Sequence, residues 1–261
     1  MQHPQEALTQ IAAPVPDHGR DPDSGPDSGP DSAPGPVTRK IAIYDMDRTI
    51  TVRGTYAGFL RFMVLRAAPL RLTLLPLLLL TSAGYAIRLV SRQRLKELNL
   101  RILLGPRIDV ARHAPRLAAY AARVLQHNIR PLALRQMAQD SGEGWHIVIA
   151  TASFALYVEP IALRLGIAPE NVIATQLEQG KNGMAVAHIA GRNCYGADKL
   201  DHVQHWMAVH GISRSAAHIR FYSDHLSDAP CLHFADEAMA TTPHRPLRAY
   251  AEKQGWTILD W

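Results

Sequence analysis

The run Ile41-Ala42-Ile43-Tyr44 breaks off in two carboxylates at i and i+2, Asp45 and Asp47, with Thr49 two residues further on. No other strand-like segment follows until residue 146. Two acids at the mouth of a buried strand are unfavourable, because like charges repel and desolvation raises the pKa of each. Proteins keep such pairs where a divalent cation lies between them, or where one acid attacks while the other moves protons. A strand followed by an ordinary acidic turn has the same local pattern, so the remainder of the chain has to decide.

Between residues 55 and 139 Leu and Ala recur at three and four residues, which predicts helix throughout. Strands are then expected at residues 146–150, 172–176, 185–189, 218–222 and 238–241, with helices at 157–165, 199–210 and 246–253. Short apolar strands alternating with helices indicate a mostly parallel α/β sheet. The helical block after the first strand reads as an insertion over the carboxyl edge of that sheet, where ligands bind in open α/β folds. The expected division is a tail over residues 1–38, an α/β core over 39–54 and 141–261, and a helical cap over 55–140.

Residues 1–38 hold a degenerate Asp-Ser-Gly-Pro repeat with little to bury, which reads as disordered. The start of the chain lacks the basic and apolar stretches of a secretory signal. Two cysteines, Cys194 and Cys231, argue against a disulfide scaffold and fit a cytoplasmic setting. The net charge of +5 is uneven: the first forty residues carry six acids against three bases. Between residues 51 and 108, ten bases face a single acid, Glu97. Such a field favours phosphate esters or an anionic membrane surface. No aromatic-interleaved basic patch or zinc spacing supports nucleic acid, which ranks last.

Three further signals each follow an expected strand. Ile147-Val148-Ile149-Ala150 runs into Thr151-Ala152-Ser153, where hydroxyls beside a helix start offer a phosphate site or, for Ser153, a simple N-cap. Gly196-Ala197-Asp198-Lys199 opens a helix and sets an ammonium near its start, although a lone lysine is more often solvated. His218 to Ser223 ends in Asp224-His225-Leu226-Ser227-Asp228, a second acidic pair.

In this order the motifs resemble those of the haloacid dehalogenase superfamily of phosphatases, and in particular its subfamily IB, the phosphoserine-phosphatase-like branch. The likeness covers about residues 39–261 and extends to Thr242-Pro243-His244-Arg245 and the closing Asp260-Trp261. It implies a Rossmann-like parallel sheet with a helical cap inserted after the first strand. It also implies a Mg²⁺-dependent phosphomonoesterase working through an aspartyl-phosphate. By that resemblance Asp45 is the nucleophile and Asp47 the proton donor and base, while Thr151 and Lys199 hold the phosphoryl oxygens. Mg²⁺ would be held by Asp45, the backbone carbonyl of Asp47, Asp224, and Asp228 directly or through water. The physical reading agrees, since a carboxylate attacking an anionic phosphoryl group needs a hard cation and fixed donors.

The chain departs from the phosphoserine phosphatases where their substrate-recognising glutamate would stand, because Gly54 occupies that position. Phosphoserine is therefore an unfavoured substrate. The asparagine of the last motif is replaced by Ser227. Arg101 is a candidate substrate-contacting cap residue or a surface arginine, and His225 and Tyr56 are candidates for the pocket wall or for ordinary packing. Residues 72–87 carry no charge and are bracketed by Arg71 and Arg88. The stretch reads first as a buried cap helix, with an interfacial element or one arm of a hairpin with residues 57–70 as alternatives. A single span is excluded, because it would put Asp45 across a membrane from Lys199 and Asp224. The substrate is a lipid phosphate or a soluble ester, and the competing reading is a phosphate-binding regulatory module without turnover.

Overall fold

The computed structural model describes residues 38–261, and the tail expected over residues 1–38 lies outside them apart from Thr38. Strand β1 (Arg39–Tyr44) is followed by a tight loop and four helices, α1 (Thr55–Ala67), α2 (Leu75–Ala86), α3 (Arg92–Leu104) and, after the short β2 (Arg107–Asp109), α4 (Val110–His127). Helix α5 (Pro131–Gly142) leads back to β3 (His146–Phe154), α6 (Ala155–Arg164), β4 (Val172–Thr175), β5 (Leu177–Gln179) and β6 (Met184–Ile189). Helix α7 (Ala197–Val209), β7 (Ala217–Ser223), α8 (Ala229–Phe234), β8 (Glu237–Thr241), α9 (Arg245–Gln254) and β9 (Thr257–Leu259) complete the chain.

Six strands form one sheet in the order β4-β3-β1-β7-β8-β9, with every paired neighbour parallel. This is the expected Rossmann-like core, with the helical insertion after its first strand. Strand β1 sits where the order reverses, so a crevice opens at its carboxyl end. Alternation along the strands feeds two cores, one on each face. Ala42, Tyr44, Ile147 and Ile149 pack toward α1, α4 and α6, while Ile41, Ile43, Val148 and Ala150 pack toward α7, α8 and α9.

Three sequence expectations are corrected. The strand expected at 185–189 is β6, and it lies outside the parallel sheet, in a separate antiparallel sheet ordered β2-β6-β5. The stretch 55–139 is not helical throughout, because β2 interrupts it to pair with β6. A three-residue strand is too short to leave a period-two signal. The uncharged stretch 72–87 is not a buried helix. The helical segment Pro69–Ala86 is apolar and long enough by composition to cross a membrane, yet none of it is buried.

A polar node locks the centre of the sheet to α5. Fully buried Asp140 accepts from Tyr44 Oη at 2.5 Å, Tyr222 Oη at 2.8 Å and Arg220 Nη1 at 2.6 Å. The two tyrosine rings stack with centroids 4.1 Å apart. Removing the acid strands a buried cationic fork and two phenols, although Glu237 still pairs with Arg220 at 2.8 Å. Asp140→Leu should therefore cost about 3 kcal/mol in urea unfolding, since breaking a buried pair leaves an uncompensated charge.

Candidate active site

The parallel register sets three loops side by side. Tyr44 pairs with Ile149 on one flank and Tyr222 on the other, so Asp45, Thr151 and Asp224 emerge at the same edge. Asp45 is fixed by its backbone N–H, which donates to Tyr222 O at 2.9 Å. The chain then folds tightly, with Thr51 N returning to Met46 O at 3.0 Å and Arg48 forced to a φ of +68°. That left-handed backbone costs a non-glycine residue about 1 kcal/mol. It turns the Asp47 side chain back over the sheet edge.

The six residues singled out from the motifs, Asp45, Asp47, Thr151, Lys199, Asp224 and Asp228, all line one cavity of about 570 Å³. Lys199 Nζ donates to Asp45 Oδ1 and to Asp228 Oδ2, both at 2.7 Å. It is 2% exposed, so the solvated reading of this lysine is wrong. Burial disfavours its charge, but Asp228 and Asp45 outweigh that and hold the ammonium well above its ordinary pKa. Burial, opposed by Lys199 and reinforced by Asp228 and Asp224, pushes the Asp45 carboxyl up to about 8. Burial and Asp228 push Asp224 up to about 6, against the pull of Arg48. Asp228 is further held by Ser223 Oγ at 2.8 Å, while its buried Oδ1 has no partner among the described residues.

Asp47 is held by three donors: Thr55 N at 2.7 Å and Thr55 Oγ1 at 2.7 Å on Oδ1, and Ser153 Oγ at 2.7 Å on Oδ2. Ser153 is not an N-cap, because β3 continues to Phe154 and α6 begins at Ala155. Its hydroxyl positions Asp47 instead. Thr151 Oγ1 accepts from Ser153 N at 3.1 Å, at the register irregularity near the end of β3 that sets Thr151 and Ala152 against the cavity.

Gly54, Tyr56, Ser227 and His225 line the cavity, whereas Arg101 is exposed and lies away from it. Residues that motif reading missed are Arg48, Tyr195 and Arg92, whose guanidinium lies 4.0 Å from the Tyr195 ring centroid. Lys96 of α3 was also missed. It is 8% exposed and donates to Ala152 O at 2.6 Å and Asn193 Oδ1 at 2.7 Å, tying the helical insert to the end of β3. Only its helical spacing beside Glu97 and Leu100 hinted that it faces inward.

Burial, with Arg92 adding to it and Asp47 opposing, lowers Lys96 to about 7. A folded pKa below the unfolded value near 10.5 means that the unfolded chain binds more protons between about pH 7 and 10. Stability contributed by this group is therefore present above that window and lost as pH falls through about 7. The melting temperature of the native chain should rise relative to Lys96→Met between about pH 7 and 10, measured by scanning calorimetry.

The sequence profile of haloacid dehalogenase-like hydrolases matches residues 42–233. A histidinol-phosphatase of Neisseria meningitidis serogroup C (strain 8013) is 30% identical over 129 residues, or 49% of this chain and 56% of that protein. The alignment thus spans only about half of the curated relative. A protein of unknown function from Bordetella pertussis Tohama I has a similar structure, with a TM-score of 0.75 at 22% identity, covering 85% of this chain and 99% of that one. A probable phosphoserine phosphatase from Vibrio cholerae gives a TM-score of 0.59 at 14% identity over 86% of this chain and 62% of its own. At these identities the structural likenesses establish the fold, and the profile match over most of the chain establishes the rest: the chain belongs to the haloacid dehalogenase-like hydrolase family.

Proposed function

We propose that this chain is a Mg²⁺-dependent phosphomonoesterase of subfamily IB, working through an aspartyl-phosphate on Asp45. One observation carries the reading: a lysine clamped between two buried acids beside a third acid held by three donors. Asp45 attacks phosphorus as the ester oxygen departs, and Asp47 delivers the proton that oxygen needs. Asp47 then takes a proton from water, which attacks the same phosphorus and frees phosphate and Asp45. Thr151 and Lys199 hold the phosphoryl oxygens. A regulatory module without turnover has no use for the three donors that fix Asp47 as a proton carrier.

The donor set suits a hard cation. Asp45, Asp224 and Asp228 bring three negative charges against one from Lys199, and the buried Asp228 Oδ1 lacks a partner. Among the described residues no three acidic, imidazole or thiol side chains form a closed cage. Mg²⁺ accepts that arrangement, because it binds through one or two carboxylates and keeps several waters. Asp45, the Asp47 carbonyl and Asp224 would hold it, with Asp228 directly or through water. When bound, Mg²⁺ would neutralise charge gathering on the phosphoryl oxygens.

Residues 55–140 act as the cap that selects the substrate, over a core formed by 39–54 and 141–261. Gly54 leaves the cavity without the glutamate that phosphoserine phosphatases direct at the substrate amine, while Arg48 and Arg92 add positive charge to its walls. Tyr56, Tyr195 and His225 offer ring surfaces, which favours a small ester bearing a flat ring over phosphoserine. The free, buried Cys194 and Cys231 suit a reducing, cytoplasmic compartment.

The purified chain should hydrolyse para-nitrophenyl phosphate with Mg²⁺ and lose that activity to a chelator. Asp45→Asn should lower kcat by at least about 10³-fold, and Lys199→Met by about 10²-fold or more. Phenyl phosphate, a ring ester without an amine, should be cleaved with a higher kcat/KM than phosphoserine. Equal rates for the native chain and Asp45→Asn would end the covalent reading. Mg²⁺ should also raise the melting temperature of the native chain and leave that of Asp45→Asn nearly unchanged, because the ion stabilises only the protein that binds it.

A further inference from the structure

Among the described residues, nine of the thirteen large apolar side chains left exposed lie between residues 65 and 89. Leu70, Leu79, Leu80, Ile87 and Leu89 are each 67–85% exposed. Scattered apolar residues need no explanation, but a concentration of this kind marks an interaction surface. The segment is anchored by only part of its apolar set: Leu72 and Leu78 pack on the core, and Arg71 Nη1 donates to Ile102 O at 3.1 Å at the end of α3. The remainder of the apolar set faces outward.

A second feature adjoins it. A cavity of about 470 Å³ between α1 and α4 is lined by Arg53, Arg61, Arg66, Arg123 and His127, with no acid in its wall. None of these arginines has a carboxylate partner among the described residues. Leu65 and Arg66, on its rim, stand in the last turn of α1, and the chain passes from there directly to Leu70. Basic and apolar surfaces are thus continuous along the chain.

We propose that residues 65–89 and the adjoining arginine cavity seat this protein on an anionic bilayer, leucines entering the acyl boundary and arginines taking lipid phosphates. Charge selects this occupant. From residue 51 to 108 the one acid is Glu97, and it is 3% exposed and bonded to Ile189 N at 3.0 Å and to His188 Nδ1 at 2.9 Å. A second copy of the chain would bring the same basic face against itself, with no exposed acid in this stretch to relieve the repulsion. A nucleic acid would satisfy the arginines and leave the leucines wet. An anionic lipid surface satisfies both. The seat is interfacial and does not cross the bilayer, because Asp45 and Lys199, on either side of this segment in the chain, meet at 2.7 Å. This inference stands independently of the proposed chemistry.

Flotation of the full chain with vesicles, together with sedimentation velocity without them, tests it. Vesicles of phosphatidylcholine with about one third phosphatidylglycerol should float the protein, and phosphatidylcholine alone should bind it at least about tenfold more weakly. Leu79→Ser with Leu80→Ser should weaken binding by about tenfold or more, as should Arg61→Gln with Arg66→Gln, and raised salt should act on the electrostatic part. All four positions are exposed and outside the motif-lined cavity, so each variant should keep the far-ultraviolet circular dichroism of the native chain, which serves as the control for folding. No flotation, flotation indifferent to lipid charge, or a dimer that the leucine pair dissociates would each overturn the proposal.

Discussion

The site depends on one ammonium shared by two buried carboxylates. Lys199 meets Asp45 and Asp228 at 2.7 Å each, and all three side chains are nearly inaccessible to water. Without the lysine, three acids would face one another in a low-dielectric crevice, and protonation would be their only relief. With it, two negative charges share one positive charge, and the surplus suits a divalent cation and an anionic substrate. The parallel sheet makes this possible, because it delivers Asp45 from β1, Asp224 and Asp228 from the end of β7, and Lys199 from the start of α7 to one edge. Their separation in sequence is irrelevant once β1 lies between β3 and β7.

Asp47 shows the same economy of placement. It lies beyond the strand and is turned by the left-handed Arg48, and its donors come from two sources. Thr55 belongs to the first turn of α1, and Ser153 to the last residues of β3. Asp47 therefore joins the start of the helical insert to the core sheet. Lys96 makes a second join, from α3 to the backbone of Ala152. Ala152 sits between Thr151 and Ser153, so a shift of α3 moves both the cavity-lining Thr151 and the hydroxyl that holds Asp47. The helical insert and the core sheet are thus mechanically linked through three residues near the end of β3.

What the sequence disclosed follows from this geometry. Asp45, Asp47, Thr151, Asp224 and Asp228 each follow or end an apolar strand, and in a parallel sheet strand ends converge, so linear pattern reports spatial proximity. Lys199 was legible through its place just after the glycine that opens α7. Lys96 and Arg92 were overlooked, because they sit on α3 among other bases, and helical spacing is a weak guide to which base points inward. Ser153 was misread because a hydroxyl near a helix start has the same signature whether it caps the helix or turns toward Asp47. The strands β2, β5 and β9 span three residues each, below the length at which alternation can be detected. The stretch 72–87 failed differently: apolar composition says that side chains avoid water, and nothing in it says whether protein or lipid provides the shelter.

That last ambiguity bears on how the two faces of the insert relate. Ile87 and Leu89 are exposed, Ser91 caps α3 by accepting from Arg94 N at 3.2 Å, and Arg92 lines the catalytic cavity against Tyr195. Five residues therefore carry the chain from the apolar surface to the wall of the reacting site. A helix whose apolar side chains stay in water has little to fix its orientation, and here Leu72, Leu78, the Arg71 contacts and a hydrogen bond from Thr81 Oγ1 to Asn99 Oδ1 at 3.0 Å hold it down. Burying the leucines in a second phase would fix α2 and, through this short connection, the start of α3. Lys96 lies one turn further along α3 and bonds Ala152 near the end of β3, so restraint applied at the surface reaches the residues that hold Asp47 through contacts already present in the fold.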